Sequence, residues 1–176
     1  MIFAPTTLDG VFVIDIERHG DERGFFARTF CREEFVRQGL ETIVVQCSLS
    51  VTTRRGTLRG LHFQRAPHEE AKLVRCVRGA VHDVVVDLRP SSPTYLAHLG
   101  LELNGVDRRA VYVPRGCAHG FLTLTDDTEL SYQMSAPFVP ESQAGIRWND
   151  PAFGIEWPIA EPTMNDRDRS YPDYAA

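Results

Sequence analysis

The sequence predicts an all-β fold, either an antiparallel sandwich or a jelly roll. Short segments rich in β-branched and aromatic residues follow one another closely, with turn residues between them. One segment alone has the pattern of a helix. Parallel strands need long crossover connections, which are usually helical. The scarcity of predicted helix therefore favours antiparallel pairing of the strands.

The elements follow in chain order. Two apolar segments flank the charged turn GDERG at 20–24, and the short helix REEFVRQGL at 32–40 ends at Gly39. Arg78-Gly79 predicts a hairpin between the third and fourth of the strands that come next. Those strands are TIVVQCSLSV (42–51), TLRGLHFQ (57–64), AKLVRCV (71–77), AVHDVVVDL (80–88), AHLGLELN (97–104), RRAVYVP (108–114), GFLTLT (120–125) and TELSYQM (128–134).

The length of 176 residues predicts one domain over residues 1–176. From residue 160 onward the chain is polar and loses its periodicity, which by itself indicates a disordered tail.

The composition narrows the possible partners and the location. A net charge of −5 disfavours nucleic acid or an anionic membrane surface as a partner. No apolar run approaches the roughly 18–20 residues that span a bilayer, and the N-terminus lacks a signal-peptide pattern. The four cysteines are scattered, so we expect them to be reduced and buried. These features predict a cytoplasmic protein.

Strand alternation places unusual polar side chains on apolar faces. Lys72 shares its face with a valine and a cysteine, and Tyr132 shares its face with a leucine and a methionine. Along AVHDVVVDL, His82 lies with valines on one face and Asp83 on the other. A lysine, a tyrosine and a histidine are therefore candidates for a barrel mouth, because a buried charge is costly unless it is paired or used.

The segment RGTLRGLHFQ at 55–64 is polar for a strand. Strict alternation would send Arg59 and His62 to opposite faces. A bulge at Gly60 would bring both side chains to the same side.

A second motif, PRGCAHGF at 114–121, contains P-x-G-x-x-H and resembles the second half of the cupin signature. The first half would need the metal ligands H-x-H, where this chain has His62-Phe63-Gln64. His62 and His119 alone do not supply the three or more ligands that a metal ion needs, so we expect no metal.

Four segments together resemble the thymidine-diphosphate-4-dehydrorhamnose 3,5-epimerase family: residues 55–95, VPRGCAHGFLTL (113–124), ELSYQM (129–134) and GIRWNDPAFGIEWP (145–158). The resemblance implies a cupin-type jelly-roll barrel without a cofactor, a homodimer, and a C-terminal tail that folds over the barrel mouth. It also implies epimerisation at C3 and C5 of a nucleotide-linked 4-keto-6-deoxyhexose through an enolate at C4.

The resemblance implies four catalytic residues. His62 matches the base, which suits an imidazole because its ordinary pKa lies near neutrality. Asp168 matches the carboxylate that orients this histidine. Lys72 matches the donor near the ketone oxygen, and Tyr132 matches the acid that delivers a proton from the opposite face of the sugar, particularly at C5.

The resemblance also implies a substrate-binding set. Arg59 and Arg23 match positions that hold the diphosphate, since the guanidinium fork suits phosphate oxygens. His119 and Asp83 match a supporting polar network. Further substrate contacts are implied for Phe26, Gln46 and Phe138.

Three departures from the family pattern concern the nucleotide region. They are Arg28 in place of a glutamate, Gln46-Cys47-Ser48 in place of Q-x-N, and Pro137-Phe138 in place of a tyrosine pair. The nucleotide base is therefore less firmly implied than the reaction.

Three other functions stay open. A mono-epimerase would invert C3 or C5 alone, because a small change of substrate pose can silence one carbon. A metal-dependent cupin would need further ligands. A non-catalytic sugar-nucleotide binding module would bind without proton exchange, since a fold does not establish chemistry.

Overall fold

The computed structural model describes residues 1–174, so residues 175–176 of the predicted domain lie outside the described part. The described residues form thirteen strands and two α-helices: β1 Ile2–Pro5, β2 Phe12–Asp15, β3 His19–Asp21, β4 Gly24–Phe26, α1 Arg32–Arg37, β5 Gln46–Thr52, β6 Leu58–Gln64, β7 Lys72–Arg78, β8 Ala80–Asp87, β9 His98–Asn104, β10 Ala110–Val113, β11 Cys117–Thr123, β12 Thr128–Met134, β13 Gln143–Gly145 and α2 Asp166–Arg169.

Two antiparallel sheets enclose the core. The six-stranded sheet has the order β1-β2-β10-β7-β12-β5, and the five-stranded sheet has the order β13-β6-β11-β8-β9. Residues from both sheets, such as Val74, Val85 and Leu130, are fully buried in one cluster. This arrangement confirms the all-β, cupin-like prediction. Neither helix within residues 1–174 is long and apolar enough to cross a membrane.

The predicted hairpin at Arg78-Gly79 is wrong. β7 pairs with β10 and β12, whereas β8 pairs with β9 and β11, so the turn carries the chain from one sheet to the other. Gly79 has φ +74°, and an added Cβ would lie 2.5 Å from the Thr128 hydroxyl. A tight glycine turn signals a reversal but does not say whether the two strands pair.

The alternation argument is correct for β7 and β12 and fails for the histidine. Lys72 and Tyr132 both line the cavity described below. His82 instead packs against Trp157, with ring centroids 5.7 Å apart, on the outer side of the five-stranded sheet. This outer face is also apolar, because the segment around Trp157 covers it. An apolar strand face therefore does not show whether it points into the barrel or toward a covering segment outside it.

Two cysteines are buried as predicted. Burial raises the pKa of Cys76 to about 11 and that of Cys117 to about 12, so both thiols stay protonated. Cys31 is half-buried and Cys47 is exposed, contrary to the prediction. Cys47 lies on the face of β5 opposite to the cavity, together with the exposed Leu49 and Val51.

The polar tail is ordered within the described residues. Thr163 exchanges backbone hydrogen bonds of 2.8 Å with Gly56 and Leu58 at the start of β6. The Asn165 side chain then caps α2 by accepting a hydrogen bond from the Asp168 N–H at 2.7 Å. Composition alone pointed to disorder here, and the resemblance correctly implied that the tail folds back.

Candidate active site

A cavity of about 310 Å³ opens between the two sheets, a size typical of small-ligand sites. Its walls come from β5, β7 and β12 of one sheet, from β6 and β11 of the other, and from the tail. Eight of the eleven predicted site residues line it: Gln46, Arg59, His62, Lys72, His119, Tyr132, Phe138 and Asp168.

His62 and Asp168 form a hydrogen-bonded pair at the cavity wall. His62 Nε2 lies 2.8 Å from Asp168 Oδ1, and the Gly60 N–H donates to Oδ2 at 3.1 Å. Burial raises the pKa of Asp168, but the hydrogen bonds from His62 and Gly60 outweigh burial and hold this pKa below its usual value. A neutral His62 that donates its Nε2 proton to this carboxylate carries its basic lone pair on Nδ1.

A bulge in β6 brings Arg59 and His62 to the same side, as predicted. His62 pairs with His119 and Arg59 pairs with Phe121, so three steps along β6 match two along β11. Gly60 has φ +139°, and an added Cβ would lie 2.5 Å from the Gly120 Cα. Glycine is required here by both its backbone conformation and the close approach of β11.

We therefore expect Gly60→Ala to lower the free energy of unfolding by about 1–3 kcal/mol, since the new methyl group meets backbone and the φ value is unfavourable. Chemical denaturation measures this loss. Gly154→Ala is the control, because Gly154 also has a positive φ but nothing lies within 4 Å of its added Cβ. Equal effects of the two substitutions would contradict the close-packing argument.

Lys72 is held between two oxygens. Its Nζ lies 3.0 Å from Glu70 Oε1 and donates to the His62 carbonyl oxygen at 3.1 Å. The side chain of Lys72 is 11% exposed and that of Glu70 is 8% exposed, so the ion pair is largely removed from water. An ammonium has three donors, so it can still donate into the cavity.

Behind Tyr132 lies a second histidine–carboxylate pair. His119 Nε2 is 2.9 Å from Asp83 Oδ2, and Asp83 is fully buried behind His119. The rings of His119 and Tyr132 are 6.1 Å apart. Burial strongly raises the pKa of Tyr132, so its hydroxyl stays protonated and can act as a donor.

The loop after β12 is held by two glutamines. Gln46 Oε1 accepts from the Phe138 N–H at 2.5 Å, and Gln64 Oε1 accepts from the Val139 N–H at 2.6 Å. Phe138 is 53% exposed at the cavity rim. Gln64, which stands where a metal-binding cupin would have its second histidine, therefore bonds to backbone. Within residues 1–174, no three His, Cys, Asp or Glu residues cluster as a metal site.

Arg23 and Phe26 lie elsewhere in the described chain, on the exposed β3–β4 hairpin. The Arg23 side chain is 84% exposed and pairs with Asp21, while Phe26 is 77% exposed. A single chain thus does not bring these two residues to the cavity.

Several cavity residues were not among the predicted site residues. Two of them carry charge, Glu70 and Arg167, and the uncharged polar ones are Ser48, Ser50, Gln64, Gln143 and Asn165. Glu70 was detectable, because it lies two residues before Lys72 and alternate residues share a face. The others depend on long-range contacts, such as the 2.9 Å hydrogen bond from Arg167 to Gln143.

Comparison with known proteins identifies the family to which the chain belongs. A sequence model of the family described as dTDP-4-dehydrorhamnose 3,5-epimerase matches residues 5–176. A relative of that name from Methanothermobacter thermautotrophicus is 42% identical over 172 residues, covering 96% of this chain and 92% of the relative. A dTDP-4-dehydrorhamnose 3-epimerase from Streptomyces niveus is 41% identical over 170 residues, covering 96% and 82%.

A solved structure of the same family has the same fold as this chain. The crystal structure of dTDP-4-dehydrorhamnose 3,5-epimerase from Elizabethkingia anophelis superimposes with a TM-score of 0.96 at 36% identity, covering 99% of this chain and 96% of that one. Sequence and fold therefore agree over nearly the whole length. This chain belongs to the dTDP-4-dehydrorhamnose 3,5-epimerase family of isomerases.

Proposed function

We propose that this protein inverts C3 and C5 of a dTDP-linked 4-keto-6-deoxyhexose, with His62 as base and Tyr132 as acid. The observation that carries the proposal is the 2.8 Å His62–Asp168 pair in a cavity that also contains Lys72 and Tyr132. His62 comes from the five-stranded sheet and Tyr132 from the six-stranded sheet. A sugar ring between the sheets would meet a base on one face and an acid on the other.

The reaction then proceeds in balanced proton transfers. The His62 imidazole takes the proton from the carbon beside the C4 ketone, and Asp168 stabilises the imidazolium that forms. The electrons of the C–H bond form the enolate, whose charge moves to the C4 oxygen near the Lys72 ammonium. Tyr132 returns a proton from the opposite face, and inversion results. The imidazolium then gives its proton to water and the tyrosinate takes one from water, which restores both groups before the second carbon reacts.

Two arginines and an aromatic ring at the cavity support a nucleoside diphosphate as the other half of the substrate. Arg59, which is fixed by a 3.1 Å hydrogen bond to Thr52, and Arg167 both line the cavity. Guanidinium groups bind diphosphate oxygens through paired hydrogen bonds. The exposed Phe138 ring offers a surface for a base to stack on.

Proton exchange in D₂O with dTDP-4-keto-6-deoxyglucose, followed by NMR, tests the reaction. We expect deuterium at both C3 and C5 with the parent, and Tyr132→Phe should lose inversion chiefly at C5. Tyr95→Phe is the control, because Tyr95 bonds to Tyr174 outside the cavity. No exchange at either carbon with bound substrate would contradict the proposal.

Exchange at C3 alone would instead make this protein a mono-epimerase. We keep this as the second candidate because the chain is 41% identical to the Streptomyces niveus 3-epimerase, about as similar as to relatives named 3,5-epimerase. Tyr132 then would not work as a productive acid at C5.

We further propose a homodimer in which the partner's hairpin completes the site. β5 is an edge strand that pairs with β12 on one side and with no strand of residues 1–174 on the other, and it exposes apolar side chains, Leu49 at 59% and Val51 at 51%. Such an edge readily accepts a second copy of the chain. Dimerisation would explain why Arg23 and Phe26, implied as substrate contacts, lie outside the cavity of their own chain.

Mixing two variants, each impaired in a different part of the proposed shared site, tests this arrangement. Arg23→Ala should weaken every site in its own dimer, and His62→Ala should inactivate every site in its own. After subunit exchange of a 1:1 mixture, half the dimers are mixed, and each has one complete site, so activity should return to about a quarter of the parental value. Light scattering tests for the dimer, and either the mass of a single chain or no recovery after demonstrated exchange would contradict the shared site.

Three expectations from the sequence remain predictions: a cytoplasmic location, the absence of a cofactor, and a single domain over residues 1–176.

A further inference from the structure

Glu70 uses one of its two carboxylate oxygens. Oε1 lies 3.0 Å from the Lys72 ammonium, whereas Oε2 is buried and has no hydrogen-bond partner among residues 1–174. The Glu70 side chain is 8% exposed and lines the cavity. A buried acceptor without a donor carries a desolvation cost, and the cost is larger for a charged group.

Pairing with Lys72 does not by itself account for this arrangement. The ammonium already has the His62 carbonyl as a second acceptor, at 3.1 Å. One acceptor oxygen at position 70 would hold it in place, as an amide side chain would supply. The second oxygen of Glu70 therefore lacks a partner in a residue that lines the cavity, and a small rotation of the carboxylate would turn this oxygen toward a donor that enters beside Lys72.

We infer that Glu70 Oε2 accepts a hydrogen bond from the C3 hydroxyl of the sugar, which makes Glu70 a specificity-determining residue. The inference rests on the proposed function, in which Lys72 faces the C4 oxygen. Because both oxygens belong to one carboxylate, Oε2 lies beside the contact between Lys72 and the ketone. Of the two carbons next to C4, only C3 carries a hydroxyl, since C5 bears the ring oxygen and the methyl group.

The same contact suits the reaction intermediate. When the C3 proton leaves, C3 and C4 become planar and their oxygens lie side by side. Lys72 then faces the oxygen that gains charge, while Glu70 faces the hydroxyl that still carries a proton. Lys72 and Glu70 together recognise a ketone and the hydroxyl beside it, through one cation and one anion. This contact does not depend on the configuration at C3.

The test compares two substrates in the parent and in Glu70→Gln. The substrates are dTDP-4-keto-6-deoxyglucose and its 3-deoxy analogue, and the readout is kcat/KM for deuterium exchange at C5, which both possess. In the parent, removing the C3 hydroxyl should lower kcat/KM about 10- to 100-fold, the usual range for a hydrogen bond to a charged group. Glutamine keeps one oxygen for Lys72 and replaces the second with an NH₂ group, which can make only a weaker, neutral hydrogen bond to the hydroxyl, so the variant should discriminate only about 3-fold. Glu69→Gln, outside the cavity lining, should discriminate like the parent.

Each result decides between roles. If Glu70→Gln lowers kcat/KM equally for both substrates, it discriminates between them as the parent does. That result would overturn the inference and leave Glu70 as a support for Lys72. A parent that treats both substrates alike would overturn it without any variant. A parent that exchanges neither substrate would overturn the proposed function and the inference with it.

Discussion

His62→Ala should lower deuterium exchange at C3 and C5 by about 10²- to 10⁴-fold, the usual contribution of a positioned base. Both carbons lie next to one ketone, and His62 is the base we propose for both proton removals. Binding of dTDP should persist, because Arg59 and Phe138 are untouched. NMR exchange rates and calorimetric titration with dTDP measure the two effects separately.

His98→Ala is the matched control for this substitution. His98 lies on β9, at the far edge of the five-stranded sheet, and its loss should leave exchange unchanged. Parental exchange rates in His62→Ala would remove this residue from the mechanism. Loss of both exchange and dTDP binding would mean that the substitution disturbs the cavity as a whole, which circular dichroism would reveal.

The parts of the fold and site that follow local rules were predictable from the sequence. Alternation on β7 and β12 placed Lys72 and Tyr132 on the cavity side, since a strand has a fixed period of two. Gly60 indicated a bulge, because glycine inside a strand often marks one. These properties depend on a few neighbouring residues.

The rest depends on contacts between distant segments. The turn at Gly79 looks like a hairpin, but the choice of partner strands is a property of the whole sheet. Asp168 reaches His62 across 106 residues, and no local pattern in the polar tail signals this pairing. Its place came only from the family resemblance. Neither local sequence patterns nor contacts within one chain place Arg23 and Phe26 at a site, because their proposed site needs a second chain.

Asp168→Asn should have the other largest effect, about 10³- to 10⁴-fold on exchange, the scale seen when the orienting carboxylate of a serine-protease triad becomes an amide. An asparagine NH₂ in place of Oδ1 donates to His62 Nε2 and favours the tautomer with its proton on Nδ1, so the basic lone pair no longer faces the sugar. Exchange rates in D₂O measure the loss. Asp166→Asn, on the same helix, should exchange normally.

The same variant should change the dependence of stability on pH. The pKa of Asp168 is lowered in the folded protein, so the carboxylate contributes stability that is fully present above its unfolded pKa of about 3.9. This contribution is lost as the pH falls below that value and through the folded pKa. Asp168→Asn lacks it, so the parent should exceed the variant in stability at pH 7, and the difference should shrink in acid. A difference that stays constant from pH 7 into that acid range would mean that the carboxylate charge does not stabilise the tail against β6.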